Sequence, residues 1–244
     1  DGAPASSEKL VQDIDYTLQL PLAKASWHYG FHNISQAWSV STGKGVKIMV
    51  VDTGCSLEQE NLNQQFNQGY SAGRTIEHLV TLPRPTFFGT AYGKRETVND
   101  ACGHGTCMAG IVAAPRGIDG SACGVAYNCD LVSVRAAENV ILNQSREVKG
   151  VADAFNMAAQ RDDIKIIIMS MGYPFYISQV ADAIRAAANR GKLIFCAAGT
   201  SSQLTSWLPV VFPASMPEVN AVTGVQDNLR YRCSNCHEGP EVDF

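Results

Sequence analysis

The chain has 244 residues, enough for one large domain with a substantial core, and we expect a single domain. Hydrophobic residues make up 45% and charged residues 17% of the chain, a balance typical of a globular protein and not of a disordered one. With a net charge of -4 and no basic runs we expect no nucleic-acid partner, and with no apolar run near the roughly 20 residues of a membrane helix we expect no membrane span.

The first half of the chain contains one clear strand. Residues 1–25 are aperiodic and are predicted to form an N-terminal arm or linker, which leaves 26–244 as the folded domain. Residues 46–51 form a nearly continuous apolar run, which is typical of a strand buried on both faces, and Asp52 stands at its carboxyl end. Residues 57–101 are polar and irregular, so we predict loops and a few short pieces of structure there.

From residue 104 onward, predicted helices and strands alternate regularly. Apolar residues at helical spacing predict the helices, and short apolar runs predict the strands. The predicted helices are 104–114, 147–160 and a segment that begins near 177 and ends at Gly191; the predicted strands are 130–135, 164–169, 192–198 and 219–225, of which 164–169 is expected to be buried on both faces. Strands that alternate with helices of about 10–15 residues predict an α/β fold, in which a doubly wound, mostly parallel sheet carries helices on both faces.

The eight cysteines are an even number and more than an intracellular enzyme usually carries. They permit disulfides whose pairing the sequence does not indicate, and with two weak glycosylation patterns they favour a secreted or extracytoplasmic location. The spacing of Cys233, Cys236 and His237 matches covalent haem attachment, but a lone motif of this kind favours a strand-end turn or a disulfide. A zinc site is not favoured, because no second cysteine pair has suitable spacing.

One acid and one histidine stand where chemistry is expected in such a sheet. The carboxyl ends of parallel strands converge with helix N-termini at one edge, and Asp52 and His104 are both predicted to lie there. The helix N-terminus disfavours the imidazolium of His104, so a carboxylate is needed to offset that effect and to fix the tautomer. Taken alone, Asp52 favours a turn cap and His104 favours a buried histidine with its hydrogen bonds made, both of which are structural roles. Taken together, the two residues favour a general base, His104, and the acid that orients it, Asp52.

Five stretches of the chain carry a family resemblance. They are 42–54, 103–114, 124–126, 168–172 and 197–200, and they include Val-Asp-Thr-Gly at 51–54 and Gly-His-Gly-Thr at 103–106. On these motifs, which come in the family's order at similar intervals, the chain resembles the subtilisin-like serine peptidases, also called subtilases or peptidase family S8. The resemblance extends from about Trp27 to the end of the chain and implies a subtilisin-like fold.

The resemblance implies a serine endopeptidase that hydrolyses peptide bonds through an acyl-enzyme, with peptides or proteins as substrates. Asp52 would be the orienting acid and His104 the general base of a catalytic triad. An extended edge would pair with the substrate backbone, and a pocket would receive the side chain before the cleaved bond. The edge corresponds to Ser170, Met171 and Gly172, and the pocket to Ala197, Ala198 and Gly199.

Two positions depart from the family's pattern. Thr200 stands where the family usually has an asparagine that donates its amide to the oxyanion, and we expect weakened catalysis or a rearranged oxyanion site. Cys107 stands where a second histidine is usual, and we expect a packed thiol and not a nucleophile. Calcium is common in the family, but the loop 116–123 offers only Asp119 as a strong oxygen ligand, so no metal or cofactor is assigned.

The family's nucleophilic serine, in a Gly-Thr-Ser-Met-Ala block that begins a buried helix, has no convincing counterpart here. Ser201 follows a predicted strand, which is the wrong place, and Pro209 would interrupt a helix there. We therefore expect a peptidase domain truncated before the serine block, without its C-terminal portion and with an apolar surface left open. A second chain that carries the remaining C-terminal part is one expected partner, and a propeptide is another.

Two other functions compete with a peptidase. Thr200 and the missing serine motivate the first, a catalytically inactive pseudopeptidase that serves as a binding or regulatory module. The second is a nucleotide-binding α/β domain, which is not favoured because no glycine-rich phosphate loop follows the first strand.

Overall fold

The structure, a computed structural model, describes residues 28–86, 89–118, 122–140, 142, 145–201, 209–226 and 230–244. The predicted arm at 1–25 lies outside these residues, as does Asp119 of the loop 116–123. The helices are α1 (His28–Phe31), α2 (Ile34–Ala37), α3 (His104–Ala113), α4 (Ser145–Gln160) and α5 (Ser178–Asn189). The strands are β1 (Lys47–Asp52), β2 (Ile76–Val80), β3 (Pro83–Thr86), β4 (Gly89–Arg95), β5 (Asp130–Arg135), β6 (Ile164–Met169), β7 (Leu193–Ala197) and β8 (Asn220–Val222).

Six of the strands form one parallel sheet in the order β2-β5-β1-β6-β7-β8, and β3 and β4 form a separate antiparallel pair. Helices α4 and α5 pack on one face of the sheet, and α3 packs on the other. This arrangement confirms the predicted doubly wound, mostly parallel α/β fold. Within the described ranges, none of the helices combines the length and the apolar character that crossing a bilayer requires.

The central strand β1 is buried on both faces, as its apolar run predicts. Met49 and Val51 pack into the core beneath α4 and α5, whereas Ile48 and Val50 pack into the core beneath α3. The neighbouring strands β5 and β6 pair with β1 on both sides and satisfy its backbone hydrogen-bonding groups. The last residue of this strand, Asp52, is therefore held firmly at the carboxyl edge of the sheet.

Residues 57–101 contain short pieces of structure among loops, as predicted, but the sequence pattern did not show which residues form them. Strand β2 lies in this region and pairs with β5 at the edge of the main sheet. All five residues of β2 are only half-buried, so no alternation of apolar and polar residues marks them as a strand. Pairing with β5, and not local sequence, makes this segment a strand. Strand β3 contains Pro83 and Pro85, which weaken a strand prediction because proline cannot donate to the ladder. The strand predicted at 219–225 is also shorter, with three residues in β8.

One face of β6, β7 and β8 is only partly covered. The register pairs Ile166 with Leu193 and Ile168 with Phe195, so these four side chains point to the same side of the sheet. Ile166 and Ile168 are half-buried, and Leu193 is 56% exposed. A strand at 164–169 is therefore confirmed, but its expected burial on both faces is wrong, because the described residues cover this face incompletely.

Candidate active site

Asp52 and His104 meet at the carboxyl edge of the sheet. Oδ1 of Asp52 lies 2.8 Å from Nδ1 of His104, and it also accepts the backbone N–H of Thr53 at 2.7 Å. The Asp52 side chain is 1% exposed, and its Oδ2 has no hydrogen-bond partner among the described residues. The structure thus brings the acid and the histidine singled out by the sequence into direct contact.

His104 is the first residue of α3, and its ring is partly open to solvent, with 29% of the side chain exposed. The hydrogen bond to Asp52 raises the pKa of His104 above its ordinary value, against a smaller opposing effect of burial. Because Nδ1 contacts a carboxylate, which can only accept, Nδ1 carries the proton of the neutral ring. The lone pair is then at Nε2, where the ring can take a proton from another group.

Asp100 organises the segment that leads into α3, and sequence analysis missed it. Its buried carboxylate accepts five hydrogen bonds, from the hydroxyls of Thr53 and Thr106 and from the backbone N–H groups of Cys102, Gly103 and Thr106. Burial alone would raise the pKa of Asp100, but these hydrogen bonds lower it below its ordinary value. The signal available in the sequence was an acid just before a predicted helix N-terminus, a position where carboxylates are favourable.

The end of β1 and the start of α3 are in backbone contact. The Thr53 hydroxyl donates to Asp100 and accepts the N–H of Gly105 at 2.9 Å. A Cβ at position 105 would lie 2.3 Å from the carbonyl oxygen of Gly54, so only glycine permits this approach. Gly103 caps the helix in the left-handed region, with φ 89°. The two glycines that flank the histidine therefore set its distance from the strand.

The two segments predicted to bind substrate lie at the same edge of the sheet as Asp52. Ser170–Gly172 directly follows β6, and Ala197–Gly199 begins at the last residue of β7. Strands β1, β6 and β7 are consecutive in the sheet, so their carboxyl ends are neighbours. Met171 and Ala198 are buried, while the other four residues of the two segments are half-buried. Substrate binding by these segments stays a prediction.

A family model described as the Subtilase family matches residues 43–242, which is more than half of the chain. The chain belongs to the subtilase family. The matched span includes the acid–histidine pair and both predicted substrate segments. The resemblance stated from five short motifs is thus confirmed over most of the sequence.

Several similar proteins are proteases by name, and some of them are serine proteases. The chain is 30% identical to the major intracellular serine protease of Bacillus subtilis (strain 168) over 186 residues, which cover 75% of this chain and 52% of that protein. It is 27% identical to thermitase of Thermoactinomyces vulgaris over 190 residues, which cover 77% of this chain and 60% of thermitase. This subtilase therefore spans about half the length of the curated relatives that it matches.

The solved structures support the same fold. The crystal structure of MycP1 with its N-terminal propeptide removed superposes with a TM-score of 0.64 at 21% sequence identity, and covers 88% of this chain and 68% of MycP1. At that identity the likeness shows the fold alone. Relatives are named both as extracellular and as intracellular proteases, so the secreted or extracytoplasmic location of this subtilase stays a prediction.

Thr200 lies just beyond β7, where the side chain is exposed. Its backbone pairs with that of Cys236 in an isolated antiparallel bridge. The next residue continues this pairing, because the N–H of Ser201 donates to the carbonyl of Asn235 at 2.9 Å. The segment after β7 is therefore positioned by main-chain bonds to residues 235–237, and its threonine hydroxyl is open to solvent.

Ser201 contacts a histidine other than His104. Its Oγ lies 2.9 Å from Nε2 of His237, and Nδ1 of the same ring lies 3.0 Å from the carbonyl oxygen of Pro209. Since a carbonyl only accepts, Nδ1 carries the ring proton and the Ser201 hydroxyl donates to Nε2. His237 is 3% exposed, and its backbone N–H donates to the carbonyl of Gly199. These contacts favour a structural role for Ser201.

None of the eight cysteines, all of which lie in the described ranges, forms a disulfide. The expectation that Cys107 is a packed thiol is wrong: it is exposed on the outer side of α3, where it lines a surface cavity of about 440 Å³ with Gly110 and Ile111. The motif from Cys233 to His237 forms a turn, which the Cys236 N–H closes by donating to the Cys233 carbonyl at 3.1 Å.

Calcium, which is common in the family, stays unassigned in this subtilase. Among the residues that the structure describes, no group of three or more His, Cys, Asp or Glu side chains is placed to hold a metal ion. Asp119, the strong oxygen ligand that the sequence offered, lies outside those residues.

Proposed function

We propose that the complete protein is a serine endopeptidase in which Asp52 orients and charges the general base His104. The observation that carries this proposal is the 2.8 Å contact between Oδ1 of Asp52 and Nδ1 of His104. Because this contact occupies Nδ1, it leaves the lone pair at Nε2, where a serine hydroxyl would approach. The family relationship supports the same reaction, since the similar protein of Bacillus subtilis is named as an intracellular serine protease.

The reaction follows the acyl-enzyme course. The serine oxygen attacks the carbonyl carbon of the scissile peptide bond while its proton passes to Nε2 of His104. The proton then moves to the leaving amine as the C–N bond breaks. A water molecule hydrolyses the acyl ester with His104 again as the base. Asp52 stabilises the imidazolium in both steps, which is consistent with the raised pKa of His104.

The substrate would bind as an extended strand along Ser170–Gly172, with the side chain before the cleaved bond between that segment and Ala197–Gly199. The two segments consist mostly of small, half-buried residues, and main-chain hydrogen bonds would supply most of the affinity. Thr200 would stand at the oxyanion, where its hydroxyl is a shorter donor than an asparagine amide.

The nucleophilic serine is proposed to lie outside this span, in a following segment or a second chain. The sequence supports this because no Gly-Thr-Ser-Met-Ala block occurs in it. The partly covered face of β6, β7 and β8 supports it too, because exposed apolar residues such as Leu193 and Val222 are suited to packing against a further helix. A propeptide is a second proposed partner.

The replacement His104→Ala in the complete protein tests the proposal. We expect hydrolysis of a fluorescent peptide to fall by roughly 10⁴-fold or more, because the serine loses its base. The matched control is His32→Ala, which removes an exposed imidazole outside the site and should leave the rate unchanged. Undiminished turnover by His104→Ala would refute the role of His104.

The second candidate is an inactive pseudopeptidase that binds peptides or regulates another protein, and Thr200 in place of an oxyanion donor favours it. Labelling of the complete protein with a fluorophosphonate probe separates the two, because only an activated serine reacts. We expect labelling that His104→Ala abolishes. An unlabelled but folded wild-type protein would support the pseudopeptidase.

A further inference from the structure

Two thiols lie side by side next to the chain that follows β8. A Cβ added at Gly224 would lie 2.7 Å from Sγ of Cys236 and 3.3 Å from Sγ of Cys233, so both sulfur atoms lie against the same backbone position. Burial raises the pKa of the Cys233 thiol, and the neighbouring thiol of Cys236 raises it further. Cys233 is partly accessible to solvent, whereas Cys236 is buried. The glycine at 224 leaves the space that the two sulfur atoms occupy.

The backbone of this pair is compatible with a disulfide. The N–H of Cys236 donates to the carbonyl of Cys233 at 3.1 Å and so closes a turn. Such a turn brings the Cα atoms of its first and last residues within about 7 Å, and a disulfide spans roughly 4.4–6.8 Å between Cα atoms. The guanidinium of Arg232 donates to the carbonyls of both cysteines, at 3.1 and 2.8 Å, and helps to fix the turn.

The same turn supports the segment that follows β7. Thr200 pairs with Cys236 in an isolated antiparallel bridge, and the N–H of Ser201 donates to the carbonyl of Asn235 at 2.9 Å. A third main-chain hydrogen bond, of 2.9 Å, runs from the N–H of His237 to the carbonyl of the glycine before Thr200. A restraint on Cys236 therefore also restrains Thr200.

We propose that Cys233 and Cys236 form a redox-active dithiol, and that their disulfide holds the segment with Thr200 more rigidly than the dithiol does. The oxidant is a low-molecular-weight disulfide. The thiolate of Cys233, the more accessible of the two, attacks one sulfur atom of this oxidant, whose S–S bond breaks as one small thiolate leaves with the electron pair. The thiolate of Cys236 then attacks Sγ of Cys233, forms the new S–S bond and expels the second small thiolate. The two cysteine protons go to the leaving thiolates, so the cysteine pair loses two electrons and the small disulfide gains them.

Alkylation and mass spectrometry test the pair in the complete protein. After incubation with oxidised glutathione and then iodoacetamide, we expect the tryptic peptide that begins at Cys233 to lack two hydrogen atoms and to carry no alkyl group on either cysteine. Dithiothreitol should restore alkylation at both positions. Cys233→Ser removes the pair, whereas the control Ser234→Ala changes an exposed residue of the same turn and should oxidise as the wild type does. Full alkylation of both cysteines in the wild type, or a glutathione adduct that persists on Cys233, overturns the proposal.

Hydrogen exchange tests the effect on the segment after β7. The N–H groups of Ser201 and His237 should exchange several-fold more slowly in the oxidised protein than in the reduced one, because the disulfide restricts opening of the hydrogen bonds that they make. In Cys233→Ser the oxidant should change neither rate. Equal exchange in both redox states of the wild type overturns the effect of the disulfide on Thr200. Neither measurement needs turnover, so failure of the proposed function is recognised separately, as absent hydrolysis in both redox states while the disulfide still forms.

Discussion

The two halves of the proposed site are held in different ways. At the ends of β1 and α3, side chains dominate: Asp52, Thr53 and Asp100 connect strand, loop and helix through buried hydrogen bonds. At the ends of β6 and β7 the contacts are mainly between backbones, with Thr200 exposed beyond them. Side-chain hydrogen bonds thus fix the geometry of the acid–histidine half, whereas main-chain hydrogen bonds hold the proposed substrate half.

The largest effect should come from the acid–base half. Asp52→Asn preserves shape, but its amide N–H can donate to Nδ1 of His104 and so favour the wrong tautomer. We expect kcat of the complete protein to fall by roughly 10⁴-fold, measured with a fluorescent peptide. The control Asp182→Asn changes a side chain that is 76% exposed on α5 and should not alter kcat. An equal, small effect of both variants would contradict the comparison of the two halves.

A stability measurement probes the same half through Asp100. Asp100→Ala removes five accepted hydrogen bonds, one of them buried, so we expect the free energy of unfolding to fall by about 2–4 kcal/mol. Asp100→Asn keeps one acceptor oxygen, so its free energy of unfolding should fall by less than that of Asp100→Ala. Urea unfolding checks both variants, with Asp182→Ala as the control. If Asp100→Ala unfolds like the wild type, the carboxylate does not organise the segment before α3.

The pH dependence of the acid–histidine pair gives a smaller, directional effect. The general base must be neutral, so kcat/KM should fall as the pH drops through the pKa of His104, which Asp52 holds above the ordinary value of 6.5. In Asp52→Asn the midpoint should move to lower pH. Titration of the His104 ring by NMR gives the same midpoint without turnover. If the pKa of His104 is the same in Asp52→Asn, Asp52 does not stabilise the protonated form of His104.

The smallest effect is expected at the opposite edge of the sheet. Glu77 on β2 pairs with Lys47 at the start of β1 and with Arg161, and these hydrogen bonds, led by that from Arg161, lower its pKa to about 2. Its stabilisation is present above the ordinary pKa of 4.5 and is lost as the pH falls toward 2.

Glu77→Gln should therefore lower the free energy of unfolding by about 1 kcal/mol or less at neutral pH, because these ion pairs are partly exposed and screened by solvent. The value of kcat should not change. Unfolding free energies measured from pH 7 to pH 2 should converge for the two proteins at the acid end. The control Glu58→Gln changes an exposed glutamate. A loss of activity in Glu77→Gln would show that residues away from the carboxyl edge of the sheet also contribute to activity.

The parts of the fold and of the site that could be predicted from the sequence are those with a local sequence pattern. The buried strand β1 and the pair Asp52 and His104 could be predicted, because a continuous apolar run fixes the strand and two short motifs fix the residues at its edge. Strand β2 could not, because its half-buried residues are held by pairing with β5 and not by their own pattern.

Surface placement was harder to predict than element type. Cys107 was expected to be packed because it follows His104 by three residues, yet the residues of α3 that enter the core are Gly105, Ala109 and Ala113. Asp100 was missed because its partners are mostly backbone N–H groups, which no side-chain pattern reports.

The contact between Gly54 and Gly105 has a consequence for engineering on this scaffold. The two backbones are in direct contact there, with no side chain between them. The distance between the carboxylate of Asp52 and the ring of His104 therefore cannot be adjusted by changing a side chain at this contact. Libraries built on this scaffold should leave both glycines unchanged, because a side chain added at position 105 would push the strand end and the helix start apart.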